Sequence, residues 1–317
     1  MFVITVGSGN SGCGAVHDYL KSRNDFSAPF FGQEFRLIND PDGIDNLYLN
    51  FYENFTINNA ASAFERFKLY SNQLAKSKPY INGKRKSLFN DEAKLLINDY
   101  ITKVACLEYY AMPQHKYLSL NIIKKLVFYF KYKLFDEKIN NIRLYKILLP
   151  VREKNFLDET RKFIYKLCKK NSYLKKNIVL DQSASYWRPD RYFKYFKNLK
   201  IIIINRDPRS IYYSMSSRNS KAYPSDSVKK FCIWYKYIRS KQLKTKNKNI
   251  YIIQYEKFVN NFETESKKLN NFLNIKNINS TSFDLSYSKK NVYKAKFQLG
   301  KSDQLYIKKN LKNFLYW

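Results

Sequence analysis

The stretch FVITVGSGNSGCGAVHDYL, residues 2–20, decides the fold that we expect for this chain. The protein has 8 glycines in 317 residues, and four of them fall within residues 7–14. β-Branched and apolar residues precede this octet, and apolar residues at helical spacing follow it. A strand, a glycine-rich turn and a helix in this order direct backbone N–H groups and a helix N-terminus toward an anion. The stretch therefore predicts an anion-binding loop at residues 7–14.

The loop departs from two common nucleotide-binding patterns. In the pattern G-x-x-x-x-G-K-[ST], Cys13 and Gly14 stand where Lys and Ser/Thr are required. The dinucleotide pattern G-x-G-x-x-G fits residues 7–12, but the next expected strand does not end in the acidic residue that binds a ribose. Because the missing lysine is the side chain that reaches the terminal phosphates of ATP, we expect an anion other than magnesium-bound ATP.

Strand patterns and helical patterns alternate outside a central insertion. The short apolar runs that predict further strands lie at residues 28–32, 177–181, 199–206 and 250–255. The helical patterns near them lie at residues 158–169, 190–198, 225–244 and 263–273. This alternation predicts an α/β fold with a doubly wound central parallel sheet flanked by helices.

A large, mainly helical insertion of about residues 50–150 interrupts the alternation. We find no linker or repeat, and we therefore expect one domain comprising residues 1–317. Within the insertion, the segment NIIKKLVFYFKYKLF (residues 121–135) mixes aromatic residues with lysines. The segment either packs over the core and covers a substrate cleft, which we favour, or makes peripheral contact with a membrane surface.

The charge of the chain is compatible with several kinds of partner. The formal net charge is +32 and the pI is about 9.8, as in proteins that bind nucleic acid, anionic membranes or acidic ligands. The lysines are spread along the chain, and the abundance of Lys, Asn, Ile and Tyr indicates a genome rich in adenine and thymine. A solvated basic surface is therefore as good an interpretation of the charge as a binding surface.

The cysteines and apolar runs indicate where the protein resides. The four cysteines are far apart, with no C-x-x-C pair and no histidine at metal-ligand spacing, so we expect no metal site and no disulfide framework. The first residues pass directly into a strand, so no signal peptide is expected. No run reaches the roughly 18 apolar residues that a membrane span requires. These features predict a cytoplasmic protein in a reducing compartment.

A second motif, NRDPRSIYYS, follows the expected strand at residues 199–206. Asp207 is a favourable N-cap and Pro208 a favourable first helical residue, so a helix should begin there. Arg206 and Ser214 then lie near the same helix N-terminus, where a guanidinium and a hydroxyl can hold a phosphate. The alternative is that Arg206 is a structural ion-pair partner of Asp207 or Glu256.

Together, the two loops resemble those of sulfotransferases that use 3′-phosphoadenosine 5′-phosphosulfate (PAPS). That family has a glycine-rich 5′-phosphosulfate loop after its first strand and an R-D-P-R-x-x-x-x-S motif for the 3′-phosphate, which residues 206–214 match at full spacing. Residues 254–258, QYEKF, are similar to a late strand ending Y-E-x-L/F, whose tyrosine lies near the adenine. Residues 179–186, VLDQSASY, resemble the E-K-S/T-P-x-Y stretch of glycan and protein sulfotransferases.

The resemblance implies a set of PAPS-binding residues. The resemblance covers the core strands, about half of the chain, and it implies that no metal is required. The residues that it places at the nucleotide are Gly9, Asn10, Ser11, Gly12, Cys13, Gly14, Arg206, Ser214 and Tyr255. We add Lys301, in the late stretch LGKSD, as the cation of a C-terminal flap that closes over the nucleotide.

The stretch GQEFR, residues 32–36, resembles the G-E-E-T-R stretch of tyrosylprotein sulfotransferases. The resemblance implies that Glu34 is the catalytic base and that Arg36 is a cation beside it. An acceptor hydroxyl needs such a base because it is a poor nucleophile until its proton is removed. The alternative is that Glu34 is an exposed ion-pair partner of Arg36, and His17 in the first helix is a rival base.

Two positions depart from the family pattern. Asn10 stands where members carry Lys or Arg, and Gln182 stands where related enzymes often have Lys. Because electrostatic stabilisation is usually the largest catalytic contribution, another cation must replace them. Arg36, Arg209 and Lys301 are the candidates, and without one of them the protein would be slow or inactive.

These observations predict a sulfotransferase that moves a sulfuryl group from PAPS to an acceptor hydroxyl. The acceptor that we expect is a carbohydrate or glycan precursor, while small alcohols, lipids and protein tyrosines stay open. One alternative is a P-loop-type nucleotide kinase or NTPase. The other is a non-catalytic basic protein that binds nucleic acid or a membrane surface, although no nucleic-acid-binding module is recognisable and no nucleic-acid partner is expected.

Overall fold

The computed structural model describes residues 1–81, 83–89, 91–131, 145–170, 172–173, 175–242, 244–277 and 282–317. The chain forms two compact units. Unit 1 comprises Met1–Arg36 and Asn171–Trp317, and unit 2 comprises Leu37–Lys170. The predicted insertion lies within unit 2, and the single domain of residues 1–317 stays a prediction.

Unit 1 is built on a parallel five-stranded sheet. Its strands are β1 (Phe2–Gly7), β2 (Phe26–Ser27), β7 (Asn177–Asp181), β8 (Leu199–Asn205) and β9 (Ile250–Gln254). They lie in the order β2-β7-β1-β8-β9, and every neighbouring pair is parallel. The connections run to one side of β1 and then cross to the other, so the strand order reverses between β1 and β8. Ligands bind at such a reversal, beyond the carboxyl ends of the strands.

Helices flank this sheet, as the sequence predicts. They are α1 (Cys13–Lys21), α8 (Pro208–Ser216), α9 (Val228–Ser240), α10 (Tyr255–Asn260), α11 (Phe262–Leu273), α12 (Leu285–Gln298) and α13 (Lys301–Asn310). Strand β8 is buried on both faces: Ile202 and Ile204 pack in one core cluster with α1, α10 and α11, while Ile201 and Ile203 alternate with them along the strand. Burial on both faces explains its unbroken isoleucine run.

Unit 2 is mainly helical. Its helices are α2 (Ile44–Tyr48), α3 (Ile57–Lys76), α4 (Asp91–Lys103), α5 (Gln114–Leu118), α6 (Ile122–Tyr129) and α7 (Glu153–Lys170). It also contains two antiparallel strand pairs, β3 (Tyr80–Ile81) with β4 (Lys84–Arg85) and β5 (Ala105–Ala111) with β6 (Tyr145–Pro150). Aromatic side chains form much of its core, and the rings of Tyr100 and Phe163 stack at 4.4 Å.

The strand expected at residues 28–32 is wrong. Strand β2 ends at Ser27, and Phe30–Gly32 form a 3₁₀ turn instead. Phe30 and Phe31 have φ angles of 59° and 58°, in the left-handed region that a strand cannot use. Pro29 adds a second reason, because it has no N–H group to donate to a strand ladder.

The other predicted elements differ from the structure mainly at their ends. Strand β7 has the predicted residues, and β8 is one residue shorter than predicted. Tyr255 begins α10 rather than ending β9, and the long helix predicted at residues 225–244 is the shorter α9. Within the segment 121–135, Ile122–Tyr129 form α6, and residues 132–135 lie outside the described residues. No described helix combines the length and apolar character needed to span a membrane.

Candidate functional site

The loop between β1 and α1 has tyrosine rings packed directly on its backbone. A Cβ atom on Gly9 would lie 2.2 Å from the ring of Tyr223, and one on Gly12 would lie 2.4 Å from the ring of Tyr255. Gly12 also has a φ angle of 84°, which residues with a side chain rarely adopt. Glycine at these two positions therefore lets the loop pass close to both tyrosines.

A cavity of about 750 Å³ lies at the carboxyl ends of the strands of unit 1. Residues 8–15, apart from Gly9, form one wall together with the first and last turns of α1, and α12 and the residues before it form another. The ends of β7 and β8 also contribute to its lining. This volume is in the range of small-molecule and cofactor sites.

Arg206, at the end of β8, connects three elements of the cavity wall. Its Nη1 atom donates to the carbonyl of Asn10 at 3.0 Å and to Oγ of Ser214 at 3.3 Å, and its Nη2 atom donates to the carbonyl of Asn291 at 2.8 Å. The guanidinium lies 4.8 Å from the ring centre of Tyr255. Burial lowers the pKa of Arg206, and within the described part of the chain its Nε atom has no hydrogen-bond partner.

The alternative role for Arg206, a structural ion pair, does not match the hydrogen bonds of the two carboxylates. Asp207 binds Arg209 through Nε at 2.9 Å and Nη2 at 2.8 Å. Glu256 accepts the backbone N–H of Asp207 at 2.9 Å. Both carboxylates therefore have hydrogen-bond partners other than Arg206, and they act on its buried guanidinium only through longer-range attraction.

Arg209 is not one of the cations of the cavity. Besides its two hydrogen bonds to Asp207, its guanidinium lies 3.5 Å from the ring centre of Trp317 and donates to the carbonyl of that residue. The expectation that Arg209 replaces the missing loop cation is therefore wrong, because the side chain is held in a buried ion pair outside the cavity lining.

Ser11 carries a buried hydroxyl in the cavity wall. Its residue is 1% exposed, and Oγ has no hydrogen-bond partner among the residues that the structure describes. A buried polar group without a partner costs about 1–3 kcal/mol. Because Ser11 lies next to the N-terminus of α1, an anion placed there would accept from this hydroxyl and from backbone N–H groups of Cys13 and Gly14.

Two cations in the cavity wall were not predicted from the sequence. Lys21 is the last residue of α1, and Arg218 follows the end of α8 by two residues. A basic residue at the C-terminal end of a helix is explained by its favourable interaction with the helix dipole. Nothing in the sequence therefore distinguishes Lys21 and Arg218 from other basic residues. Lys301, at the start of α13, is exposed and lies outside the cavity wall formed by described residues.

Glu34 lines the cavity and is also ion-paired. Its Oε2 atom is 3.2 Å from Nη1 of Arg36, and the two side chains are 50% and 52% exposed. The backbone next to it is fixed, because Phe35 N–H donates to the carbonyl of Asp181 at 3.0 Å. Both sequence interpretations of Glu34, a carboxylate at the site and a partner of Arg36, are therefore compatible with the geometry. Arg36 itself lies outside the cavity lining.

Asp181, at the end of β7, is a second carboxyl group in the cavity wall. Its Oδ1 atom accepts hydrogen bonds from Thr5 Oγ1 and Cys13 Sγ, each at 3.0 Å. Burial raises the pKa of Asp181 to about 6, and the negative charges of Glu34 and Asp18 add to the shift. Burial, followed by the charge of Asp181, raises the pKa of the Cys13 thiol well above its usual value. In the sequence, the only signal for Asp181 was its place in the stretch VLDQSASY.

His17 lies on the buried face of α1, outside the cavity lining. It is 2% exposed, its Nδ1 atom is 3.5 Å from Thr5 Oγ1, and its Nε2 atom has no partner in the described structure. Burial, with a smaller contribution from Lys21, lowers the pKa of His17 to about 4. His17 is therefore neutral at pH 7, and its role as a rival base stays a prediction.

The described residues contain no group of three or more His, Cys, Asp or Glu side chains that could hold a metal ion. The site thus combines two places for an anion. One is the α1 N-terminus with the Ser11 hydroxyl, and the other is the Arg206 guanidinium with the Ser214 hydroxyl. The carboxyl groups of Glu34 and Asp181 lie in the same cavity wall.

This chain belongs to the sulfotransferase family. A sequence model described as "Sulfotransferase family" matches residues 108–279, just over half of the chain. The matched residues include β7, β8 and the motif at residues 206–214, and they exclude the loop at residues 7–14 and Glu34. A search among curated proteins gave no match.

The solved structures found in the comparison include two sulfotransferase domains and a mouse sulfotransferase. The sulfotransferase domain from the olefin synthase of Synechococcus PCC 7002 has 11% sequence identity and a TM-score of 0.45, covering 98% of this chain and 93% of that one. A sulfotransferase domain from the curacin biosynthetic pathway has 13% identity and a TM-score of 0.43, covering 99% and 98%. Mouse sulfotransferase SULT7A1 complexed with PAP has 22% identity and a TM-score of 0.28, covering 42% and 50%.

Proposed function

We propose that the protein transfers a sulfuryl group from PAPS to an acceptor hydroxyl. The observation that carries this proposal is that two separate anion-binding groups line one cavity. They are the N-terminus of α1 with the unpartnered Ser11 hydroxyl, and Arg206 with Ser214. A nucleotide with phosphate groups on both the 3′ and the 5′ oxygens of its ribose has anions to match both groups.

In this assignment, the loop at residues 7–14 binds the 5′-phosphosulfate and the Arg206–Ser214 pair binds the 3′-phosphate. The ring of Tyr255 packs against Gly12 and against the guanidinium of Arg206. Its hydroxyl donates to the Ser288 carbonyl at 3.1 Å, so the ring holds the loop and Arg206 in place. The missing cation of the loop is replaced by Lys21 and Arg218, which line the same cavity. Lys301 retains the predicted role of a flap residue.

The proposed reaction needs a base and a stabilised leaving group. Glu34 accepts the proton of the acceptor hydroxyl while the acceptor oxygen bonds to sulfur. At the same time, the bond between sulfur and the 5′-phosphate oxygen breaks. Arg36 pairs with the Glu34 carboxylate at the edge of the cavity. The adenosine 3′,5′-bisphosphate product carries the negative charge that Lys21, Arg218 and the loop N–H groups stabilise.

The alternative of a nucleotide kinase or NTPase is less well supported. Cys13 occupies the position of the lysine that would contact the terminal phosphates, and its thiol donates to Asp181. We also propose a glycan or glycan precursor as the acceptor, from the stretch at residues 179–186, and a cytoplasmic location, since the four cysteines are free thiols.

Calorimetry with adenosine 3′,5′-bisphosphate and with ATP tests the proposal. We expect the bisphosphate to bind more tightly than ATP, and Arg206→Ala to weaken it by at least tenfold, since a charged hydrogen bond is worth about 1.5–3 kcal/mol. Ser214→Ala, which removes one hydroxyl, should weaken it by about fivefold. Arg66→Ala, an exposed arginine paired with Asp42, is the matched control and should have no effect.

The proposal fails if wild type binds no bisphosphate. It also fails if Arg206→Ala and Ser214→Ala bind the bisphosphate as tightly as wild type does. Glu34→Gln separates the catalytic role from binding. Release of the bisphosphate from PAPS, assayed with a panel of glycosides, should fall by about 10²–10⁴ while bisphosphate affinity is kept. Undiminished turnover would remove Glu34 as the base.

A further inference from the structure

Helix α6 in unit 2 exposes an apolar face. None of the residues of this helix is buried. The large apolar side chains that solvent reaches on α6 and at the residue after it belong to Ile122, Ile123, Leu126, Val127, Tyr129 and Phe130, with exposed fractions between 45% and 76%. We call them the α6 surface. A contiguous exposed apolar surface of this kind marks an interaction site.

The helical geometry separates the apolar residues from the lysines. At about 100° per residue, Ile122, Ile123 and Leu126 fall on one side of α6. Lys124 and Lys125 border that side on its two edges, with Phe128 between them. The Phe128 ring packs against Tyr117 of α5 at 5.6 Å, so the opposite, apolar side is the one that faces away from α5.

The charges that α6 itself carries have one sign. Residues 109–135 contain no Asp or Glu, and Lys124 and Lys125 lie on α6, whereas Lys116 of α5 is paired with Glu65 of α3. The Lys125 ammonium lies 5.7 Å from the ring centre of Tyr117 in α5, so it lies at the border between the apolar side of α6 and the side that packs on α5. A second copy of this chain would bring the same positive charges against each other. The charge complement of this surface is an anionic one.

A second feature of the same region indicates an amphiphile. A cavity of about 530 Å³ beside α6 is lined by Met112, Leu120, Val127, Phe128 and Tyr145 together with Lys124 and Lys131. Apolar walls bordered by ammonium groups suit an acyl chain with an anionic headgroup. Amphipathic helices with lysines flanking an aromatic and aliphatic face lie in the interface of anionic bilayers.

We propose that the α6 surface docks onto an anionic lipid bilayer, with the apolar side chains at the acyl boundary and Lys124 and Lys125 at the headgroups. This docking is independent of the nucleotide cavity in unit 1. It corresponds to the membrane alternative that the sequence left open for residues 121–135, rather than the cleft-covering one.

Vesicle flotation tests the docking with the full chain. We expect the protein to float with vesicles of phosphatidylcholine mixed with phosphatidylglycerol, and to float far less with phosphatidylcholine alone. Ile122→Asp with Ile123→Asp should abolish flotation. Lys124→Glu with Lys125→Glu should weaken binding by more than about 25-fold, since the loss of each lysine near an anionic surface costs about fivefold and the added carboxylates repel the surface.

Matched controls distinguish this surface from the general basic charge. Lys308→Glu with Lys309→Glu makes the same charge change on α13, and Leu305→Asp alters a side chain that is 66% exposed. Both should float like wild type. Equal losses in the control and α6 variants, equal binding to neutral vesicles, or no flotation would overturn the proposal. So would self-association that Ile122→Asp with Ile123→Asp abolishes, because the surface would then be an interface between copies.

Discussion

At the scale of single residues, Asp181 and His17 share one neighbour but have opposite responses to burial. Both lie within hydrogen-bond range of Thr5 Oγ1, at 3.0 and 3.5 Å. Burial raises the pKa of Asp181 to about 6 and lowers the pKa of His17 to about 4, because in each case it disfavours the charged form. The native state therefore favours a neutral group at both positions.

The two shifts affect stability with opposite signs in the same pH range. Asp181 binds a proton more tightly in the folded chain, so its contribution to stability falls as the pH rises from about 4 to about 6. His17 binds a proton less tightly in the folded chain, so its contribution falls as the pH drops from about 6.5 to about 4. The two pH dependences therefore largely cancel in wild type.

The variant Asp181→Asn should uncover the His17 contribution. At pH 7.5 we expect it to unfold with a free energy higher by up to about 3 kcal/mol, since a shift of about two pKa units is removed. At pH 4 the gain should be much smaller, because Asp181 is then protonated in folded wild type and partly protonated in the unfolded chain. Urea unfolding at both pH values measures this. Asp99→Asn, an exposed carboxylate paired with Lys103, should change stability little at either pH. A gain that is equal at both pH values would contradict the pKa argument.

At the scale of elements, the sequence predicts what depends on local pattern. The residues of β7 and the start of α8 follow from an apolar run and from an N-cap followed by proline, and both are where they were predicted. The turn at Phe30–Gly32 could not be predicted, since two phenylalanines in the left-handed region contradict their ordinary preference. Strand β5 lies in a segment with a mainly helical pattern, and it forms by pairing with β6 across a long separation.

The site shows the same division. Arg206, Ser214 and the loop glycines stand at fixed spacings in two motifs, so the sequence places them. Lys21 and Arg218 reach the cavity only because the sheet brings the end of α1 and the residues after α8 to one side of it. That arrangement depends on parallel pairing between strands β1 and β8, which are almost 200 residues apart in sequence. No local sequence pattern predicts a contact between residues so far apart in the chain.

Two glycines of one loop should respond oppositely to alanine. Gly12→Ala places a side chain at a φ angle of 84° and 2.4 Å from the Tyr255 ring, so we expect a loss of about 1–3 kcal/mol in unfolding free energy. A Cβ on Gly14 meets nothing within 4 Å, and alanine there should stabilise α1 by up to about 1 kcal/mol. Thermal and urea unfolding compare the two variants. A neutral Gly12→Ala would show that the Tyr255 ring and the loop can move apart without cost.

At the scale of the whole molecule, the net charge of +32 and the buried Arg206 act on an anionic ligand in different ways. The spread lysines create a long-range positive potential that raises the association rate, and salt screens it over a Debye length of about 10 Å at 0.1 M. Arg206 is 6% exposed and acts through direct hydrogen bonds, which salt screens much less.

Salt therefore separates the general charge from the proposed clamp. We expect the affinity of wild type for adenosine 3′,5′-bisphosphate to fall as sodium chloride rises from about 0.05 to about 0.5 M. The ratio of wild-type to Arg206→Ala affinity should stay constant over that range, because the lost contact is buried while both proteins have nearly the same surface charge. Calorimetry at several salt concentrations gives both quantities. A ratio that converges to one at high salt would mean that Arg206 acts only as one more surface charge, as the alternative of a non-catalytic basic binding protein requires.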